Sequence, residues 1–353
     1  MKTRIVAALA AAALTLGGCA SWDDTTSQIN VDLAADLSAA DGDPRSFTGV
    51  DVVDPLSEVE PVTNSAAPAL PVELRDADGH EVAVTDVSRI LALDLYGTYT
   101  KTLRGLGLGE NIVGRTVSSS EPSLADLPVV TADGHSLNVE AVLNLHPSLV
   151  IVDHSVGPAE AIDQIRDAGV TVVVMEPQRS LESIEADIKT VAATVGLPEE
   201  GEALAQRSLT ELEEARAAIT EIAPEDPLRM AFLYARGDGG VFFILGQESG
   251  TDDLIHGLGG LDVAAERGIG APAPANAEAL ASLDPEVYVM MSGGLESTGD
   301  LAGLLARPGV AQTTAGQNQR VVALPDGDSL AFGPQTGELL LRAAQALYQQ
   351  EER

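Results

Sequence analysis

"NVEAVLNLHPSLVIV", residues 138–152, returns 138 positions later as "NAEALASLDPEVYVM", residues 276–290, without a gap. Asn, Glu, Ala, Leu and Pro recur in place, and the apolar positions of the closing run coincide. Self-similarity at a fixed offset marks a duplicated structural unit. In each copy, apolar residues at helical spacing lead into His146-Pro147 or Asp284-Pro285, and a short β-branched run follows, "SLVIV" or "EVYVM". A short run that is apolar at nearly every position reads as a strand covered on both faces, as in a parallel sheet. The unit is therefore helix, turn, buried parallel strand. A weaker echo pairs "LGLGENIVG" (106–114) with "LGGLDVAAE" (258–266).

Further strands are expected at "RILALDL" (89–95), "TVVVME" (171–176), "RMAFLY" (229–234) and "RVVAL" (320–324). Strands alternating with helical segments predict two Rossmann-like α/β lobes with mostly parallel sheets. Between the lobes, "PEEGEALAQRSLTELEEARAAITEI" (198–222) opens on proline and acidic residues and has no internal proline. That pattern predicts one long helix joining the lobes. The expected organisation is a first lobe over 71–197, the interlobe helix over 198–222 and a second lobe over 223–353. A stiff joining helix limits closure, and parallel sheets place ligands beyond the carboxyl ends of their strands.

The N-terminus reads as an export signal over 1–18. A basic start, Lys2 and Arg4, precedes the apolar run Ile5–Leu16, which is too short to span a bilayer comfortably. "LGGC" places Cys19, the only cysteine, where bacterial lipoproteins are lipidated, and a single cysteine allows no internal disulfide. Residues 19–70 are acidic and proline-punctuated, for instance "SWDDTTSQINVDLAADLSAADGDPRS" (21–46), and predict a flexible tether between the lipid and the first lobe. The expected location is outside the cell membrane, anchored by lipid alone. The chain carries 20 Lys+Arg against 54 Asp+Glu, a net charge of −34. Such a surface repels nucleic acid and anionic lipid.

Five segments in order, "RILALDLYGT", "DGHSLNVEAVLNLHP", "FLYARGDGG", "VMMSGGLES" and "AGQNQRVVALPDGDSLAFGPQTG", resemble the class III substrate-binding lipoproteins of ABC importers, and within them the haem-binding, HmuT-type subfamily. The resemblance runs from about residue 75 to the end. It implies the class III periplasmic-binding-protein fold, ferric haem as transported ligand, and an ABC permease with its ATPase as partners. It further implies uptake of haem and iron without catalysis, a monomer, and possible haem-donor proteins at the surface. By the same resemblance the axial ligands are His135, in the glycine loop before the first repeat helix, and Tyr234, at a strand end. Arg236 and Met291, preferred to Met290, support the pocket, and Glu140 and Glu278, equivalent in the repeats, dock onto the permease.

The chemistry agrees with these roles. Ferric haem iron accepts an anionic oxygen donor. A phenol ionises near 10, so a ligating tyrosine needs the metal and a nearby cation, which Arg236 supplies. His135 offers a neutral imidazole nitrogen from the other lobe. Arg115 in "VGRTVSS" and Arg179 in "EPQRS" follow first-lobe strands and are candidate partners for the haem propionates. With aromatic residues at 3%, a haem is expected to pack mainly on aliphatic side chains.

Other readings remain open. The same fold could carry a ferric siderophore or cobalamin, leaving His135 idle. A divalent metal site could use His135, His154 and acidic residues, though only two converging ligands can be named. A hydrolase is disfavoured by the lack of a Gly-x-Ser-x-Gly elbow, a catalytic cysteine or a phosphate loop. His146, whose repeat partner is Asp284, reads as structural, and His80 and His256 as surface residues.

Overall fold

The computed structural model describes residues 27–38, 42–132, 134–237 and 240–349. The expected export signal over 1–18 and Cys19 lie outside the described residues.

The repeat folds twice in the same way. Asn138 caps the helix Val139–Asn144 by accepting from Ala141 N at 3.0 Å, and Asn276 caps Ala277–Leu283 by accepting from Ala279 N at 2.9 Å. A capping side chain satisfies a donor that the first turn leaves unpaired. Both helices run out into a left-handed residue ahead of the proline, His146 at φ 48° and Asp284 at φ 40°. The strands Leu149–Asp153 and Val287–Met291 follow, buried at every position. The 138-residue interval holds at helix start, strand start and strand end.

In the first lobe, four parallel strands run in the order Ile112–Gly114, Ile90–Leu93, Leu149–Asp153, Thr171–Met175. The second lobe holds a seven-stranded sheet. Val50–Val52, Val321–Leu324, Val287–Met291 and Arg229–Arg236 are parallel neighbours, and Leu261–Asp262 also pairs parallel with Arg229–Arg236. Val241–Ile244 and Ala273–Pro274 extend it antiparallel. The expected α/β class with mostly parallel sheets is the class observed.

The stretch 198–222 forms one helix, Pro198–Ile222, of 25 residues. At 1.5 Å per residue it is about 37 Å long. It packs on the first-lobe helix Ile184–Thr194 and on the C-terminal helix Thr336–Tyr348. Gly201 permits the first contact, because a Cβ there would come 2.4 Å from Ala192 Cβ.

The reading of 19–70 as a flexible tether fails for the described part. The helix Gln28–Asp36 lies on the C-terminal and interlobe helices. Val50–Val52 is an edge strand of the second sheet, in register Val50↔Val321. Val53 N donates to Ala323 O at 2.8 Å, and Asp51 forms an ion pair with the buried Arg320. Farther on, Ser57 N and Oγ donate to Glu338 at 3.0 and 2.6 Å. Overall composition hid this, since the β-branched run Val50, Val52, Val53 is short and set among acids and prolines.

The lobes share one hydrophobic core, which includes Ile90 and Leu149 from the first and Met230, Val287 and Leu340 from the second. Polar bonds cross the same boundary. Thr98 Oγ1 donates to Ala331 O. Lys101 Nζ lies 2.9 Å from Asp328 Oδ1 and 3.1 Å from Gly327 O, and Leu181 N donates to Asp253 Oδ2 at 2.9 Å.

Candidate functional site

The loops that leave the carboxyl ends of the strands meet between the lobes. On the first lobe, Leu149–Asp153 continues into a loop that is stitched to the hairpin Thr131–Ala132/Ser136–Leu137. Gly157 N donates to His135 O at 2.9 Å, and Leu137 N donates to Gly157 O at 2.7 Å. His135 sits at the tip of this hairpin, after Gly134 at φ 88°, with its side chain exposed. The hairpin thus holds an imidazole at the carboxyl rim of the first sheet.

Behind that rim lies a buried charge cluster. Arg179 pairs with Asp153, lies 3.6 Å from Asp94, and stacks 3.9 Å over the Tyr96 ring. Tyr99 OH donates to Asp153 Oδ2 at 2.7 Å and Thr98 N to Asp94 Oδ2 at 3.0 Å. Burial opposes the Arg179 charge, but Asp94 and Asp153 outweigh it and keep the guanidinium protonated. Asp94 is fully buried, and its carboxyl is pushed up to about 6 by that burial, against the pull of Arg179 and with the push of Asp153.

On the second lobe, the register Leu233↔Met290 sets Tyr234 beside Met291 at the carboxyl end of its sheet. Tyr234 is half-buried, and its antiparallel partner is Phe243. The Arg236 guanidinium lies 5.4 Å from the Tyr234 ring centroid, 3.6 Å from Met291 Sδ and 2.5 Å from Asp326 Oδ1. Asp326 also accepts from Gly293 N at 2.7 Å. Partial burial acts against Arg236, but Asp326 and then Tyr234 raise its pKa above the ordinary value. A permanent cation is thereby fixed against the Tyr234 phenol at this strand end. Strand alternation also separates the two methionines. Met290 packs into the core on the other face of the sheet, whereas Met291 shares the face of Arg236.

A family model for periplasmic binding proteins matches residues 94–327. The chain belongs to the periplasmic binding protein family. This is a substrate-binding transport family, not an enzyme family. Among solved structures, the heme binding protein HmuT is 68% identical with a TM-score of 0.86, and the match covers 88% of this chain and all of that one. The periplasmic heme-binding protein RhuT from Roseiflexus sp. RS-1 is 35% identical with a TM-score of 0.69, over 74% of this chain and 98% of that one. An ABC transporter substrate-binding lipoprotein of Bacillus subtilis (strain 168), YvrC, is 22% identical over 68% of this chain and 75% of its own length. Structures of HmuT include alanine variants of a histidine, a tyrosine and an arginine. The tyrosine lies 99 residues after the histidine and the arginine two further on. The same intervals separate His135, Tyr234 and Arg236.

The remaining candidates of this periplasmic binding protein divide. Among the described residues the Arg115 guanidinium donates only to the backbone oxygens of Thr116 and Ser119, both at 3.3 Å, and its buried Nε has no partner. Arg179, proposed with it from sequence, is already committed to Asp153, Asp94 and Tyr96, so its charge is spent inside the lobe. Glu140 and Glu278 are exposed in the first turns of their helices, one per lobe. His154 Nε2 lies 2.8 Å from Asp78 Oδ1. Among the described residues no three His, Cys, Asp or Glu side chains converge on a metal. His80 lies against Asp76, and His256 is exposed on the helix Thr251–Gly257.

Sequence reasoning missed three things. Asp326 anchors Arg236, and its place just after the strand Val321–Leu324 put it on the ligand side of the sheet. Asp94 and Asp153 likewise follow or end strands. The third is aromatic packing. Aromatics are scarce overall, yet Tyr96, Tyr234, Phe243 and Phe332 all pack on the core that the lobes share.

Proposed function

We propose that this protein captures ferric haem between its lobes, outside the cell membrane, and delivers it to an ABC permease and its ATPase for haem and iron uptake. His135 from the first lobe and Tyr234 from the second are the axial ligands. The observation that carries the reading is Tyr234 packed against Arg236, itself anchored by Asp326, at the sheet end facing the first lobe. A cation held beside a phenol favours the phenolate that ferric iron accepts. Support also comes from heme-binding relatives of high identity and from the matching His–Tyr–Arg spacing.

Other residues follow from the same placement. Arg115, without a carboxylate partner among the described residues, is the cation left for a propionate. Met291 and Arg236 wall the Tyr234 side. Glu140 and Glu278 stand at helix N-termini, which in a parallel α/β lobe lie on the side of the strand carboxyl ends, so each lobe presents one carboxylate to a permease. Lipidation at Cys19 holds the protein at the membrane; among the described residues no helix is long and apolar enough to cross one.

The test is a titration with ferric haem followed by absorbance. The wild-type protein should give a one-to-one complex with a histidine–tyrosinate spectrum. Tyr234→Ala should weaken binding at least about a hundredfold, roughly 2.7 kcal/mol, and His135→Ala should change the spectrum. Unchanged affinity in Tyr234→Ala would remove the assignment. Binding of cobalamin or a ferric siderophore in place of haem, indifferent to both substitutions, would transfer the protein to the alternative ligand class.

A further inference from the structure

The run Pro-Asp-Gly-Asp, residues 325–328, follows the second-lobe strand Val321–Leu324, and these residue types favour a tight turn. Asp328 N and Ser329 N close the turn by donating to Pro325 O at 3.2 and 3.0 Å. Its residues grip different lobes. On the second, Asp326 holds the Arg236 guanidinium at 2.5 Å through Oδ1 and accepts from Gly293 N at 2.7 Å through Oδ2. On the first, the buried Lys101 reaches Gly327 O at 3.1 Å and Asp328 Oδ1 at 2.9 Å. Gly327 also lies flat against the loop that follows Ile112–Gly114. A Cβ there would come 2.5 Å from Ser118 O and nearer still to Ser120 Oγ.

Neighbouring residues of one short turn therefore clamp the first lobe and anchor the cation beside Tyr234. Burying a lysine is costly, and no step of haem capture described above uses this one. The closed turn leaves little slack between Gly327 and Asp326. The bond from Arg236 to Asp326 is sensitive by contrast, since a hydrogen bond fades once donor and acceptor part by more than about 3.2 Å. A shift of about 1 Å in a positioning group is enough to be felt at the site it serves.

We propose that this turn couples the seating of the first lobe to the Tyr234 ligand, with Lys101 as a positioning residue for Arg236. The inference rests on the reading of Tyr234 as an axial ligand. While the lobes are seated, Lys101 and the Ser118 loop keep the turn pressed home, and Asp326 holds Arg236 beside the phenol. A transporter that draws the first lobe away from the turn frees Arg236 and loosens the hold of Tyr234 on haem iron. Release then needs only a small displacement of the lobes.

The test uses Gly327→Ala, which pushes the turn off the first lobe, and Asp328→Asn, which weakens the Lys101 contact at less risk to folding. In the ligand-free protein, hydrogen exchange at the Gly293 amide reads whether Asp326 is in place. We expect exchange about fivefold faster in both variants, the equivalent of one ordinary hydrogen bond, although neither substitution is at a residue that makes this bond. In the haem-loaded protein, transfer of haem to excess apomyoglobin should be about tenfold faster, as for a lost hydrogen bond to a charged group, with a weaker tyrosinate signature in the visible spectrum. Neither effect should add to that of Asp326→Ala, because all three substitutions act through one carboxylate. Unchanged Gly293 exchange, or effects that add to those of Asp326→Ala, would overturn the coupling. Faster exchange with unchanged haem transfer would overturn its link to the ligand. Should Tyr234→Ala itself leave haem affinity unchanged, the ligand reading fails and this inference goes with it.

Discussion

Arg236 touches a phenol, a thioether and a carboxylate at once, and each contact was legible to a different degree. Tyr234 and Arg236 lie two apart on a strand, so sequence alone puts them on one face. Asp326 comes from a loop 90 residues away, and only the fold joins it to Arg236. The same holds for Asp94, whose burial no local pattern announces. Its carboxyl titrates at about 6 in the folded protein, against an ordinary value near 3.8. Between those values the folded chain keeps a proton that the unfolded chain has released, so this group adds stability as pH falls from above 6 towards 4. At neutral pH its penalty is fully present. Relative to Asp94→Asn, the wild-type protein should therefore gain roughly 2 kcal/mol in urea unfolding free energy between about pH 7.5 and about pH 4.5. Equal pH dependence in the two proteins would refute a raised Asp94.

At the scale of elements, the repeat was readable because two copies at one offset reinforce each other. Caps, turns and strands fall in matching places. Isolated pieces without a copy were not readable, such as the hairpin Val72–Arg75/Glu81–Val84 and the return strand Val241–Ile244. The copies have also diverged at the turn. His146 and Asp284 both adopt left-handed φ, a conformation in which glycine costs least. The His146 ring is exposed, whereas Asp284 accepts from Thr314 N at 2.7 Å and from its hydroxyl at 3.3 Å. His146→Gly should accordingly stabilise the protein by about 0.5 kcal/mol. Asp284→Gly should destabilise it by about 1 kcal/mol, because two hydrogen bonds are lost. Chemical denaturation of the two variants decides; a shift of the same sign in both would contradict the divergence.

For the whole molecule, the boundary between lobes is a core with a charge buried in it. Lys101, 2% exposed, lies between Asp328 of the second lobe and Glu121 of its own. Burial disfavours its charge, yet Glu121 and Asp328 raise its pKa. Removing the lysine strands two buried carboxylates, while neutralising Asp328 leaves Lys101 with Glu121. Lys101→Met should thus cost more, about 3–5 kcal/mol, than Asp328→Asn, at about 1–3 kcal/mol. The reverse order in equilibrium unfolding would mean that the lysine serves Asp328 alone. Together with a 25-residue helix behind the lobes, this fastening makes large hinge closure an unneeded part of ligand capture.

The edge strand Val50–Val52 has a further consequence for the protein at a cell surface. Since the helix Gln28–Asp36 is already packed on the interlobe and C-terminal helices, a lipid carried at Cys19 would stand at most roughly 28 Å of chain length from the folded body. The second lobe would then be moored close above the bilayer rather than paid out on a long line. With such an anchor, its search for a transporter would become a two-dimensional one within a thin layer, where local concentration substitutes for affinity.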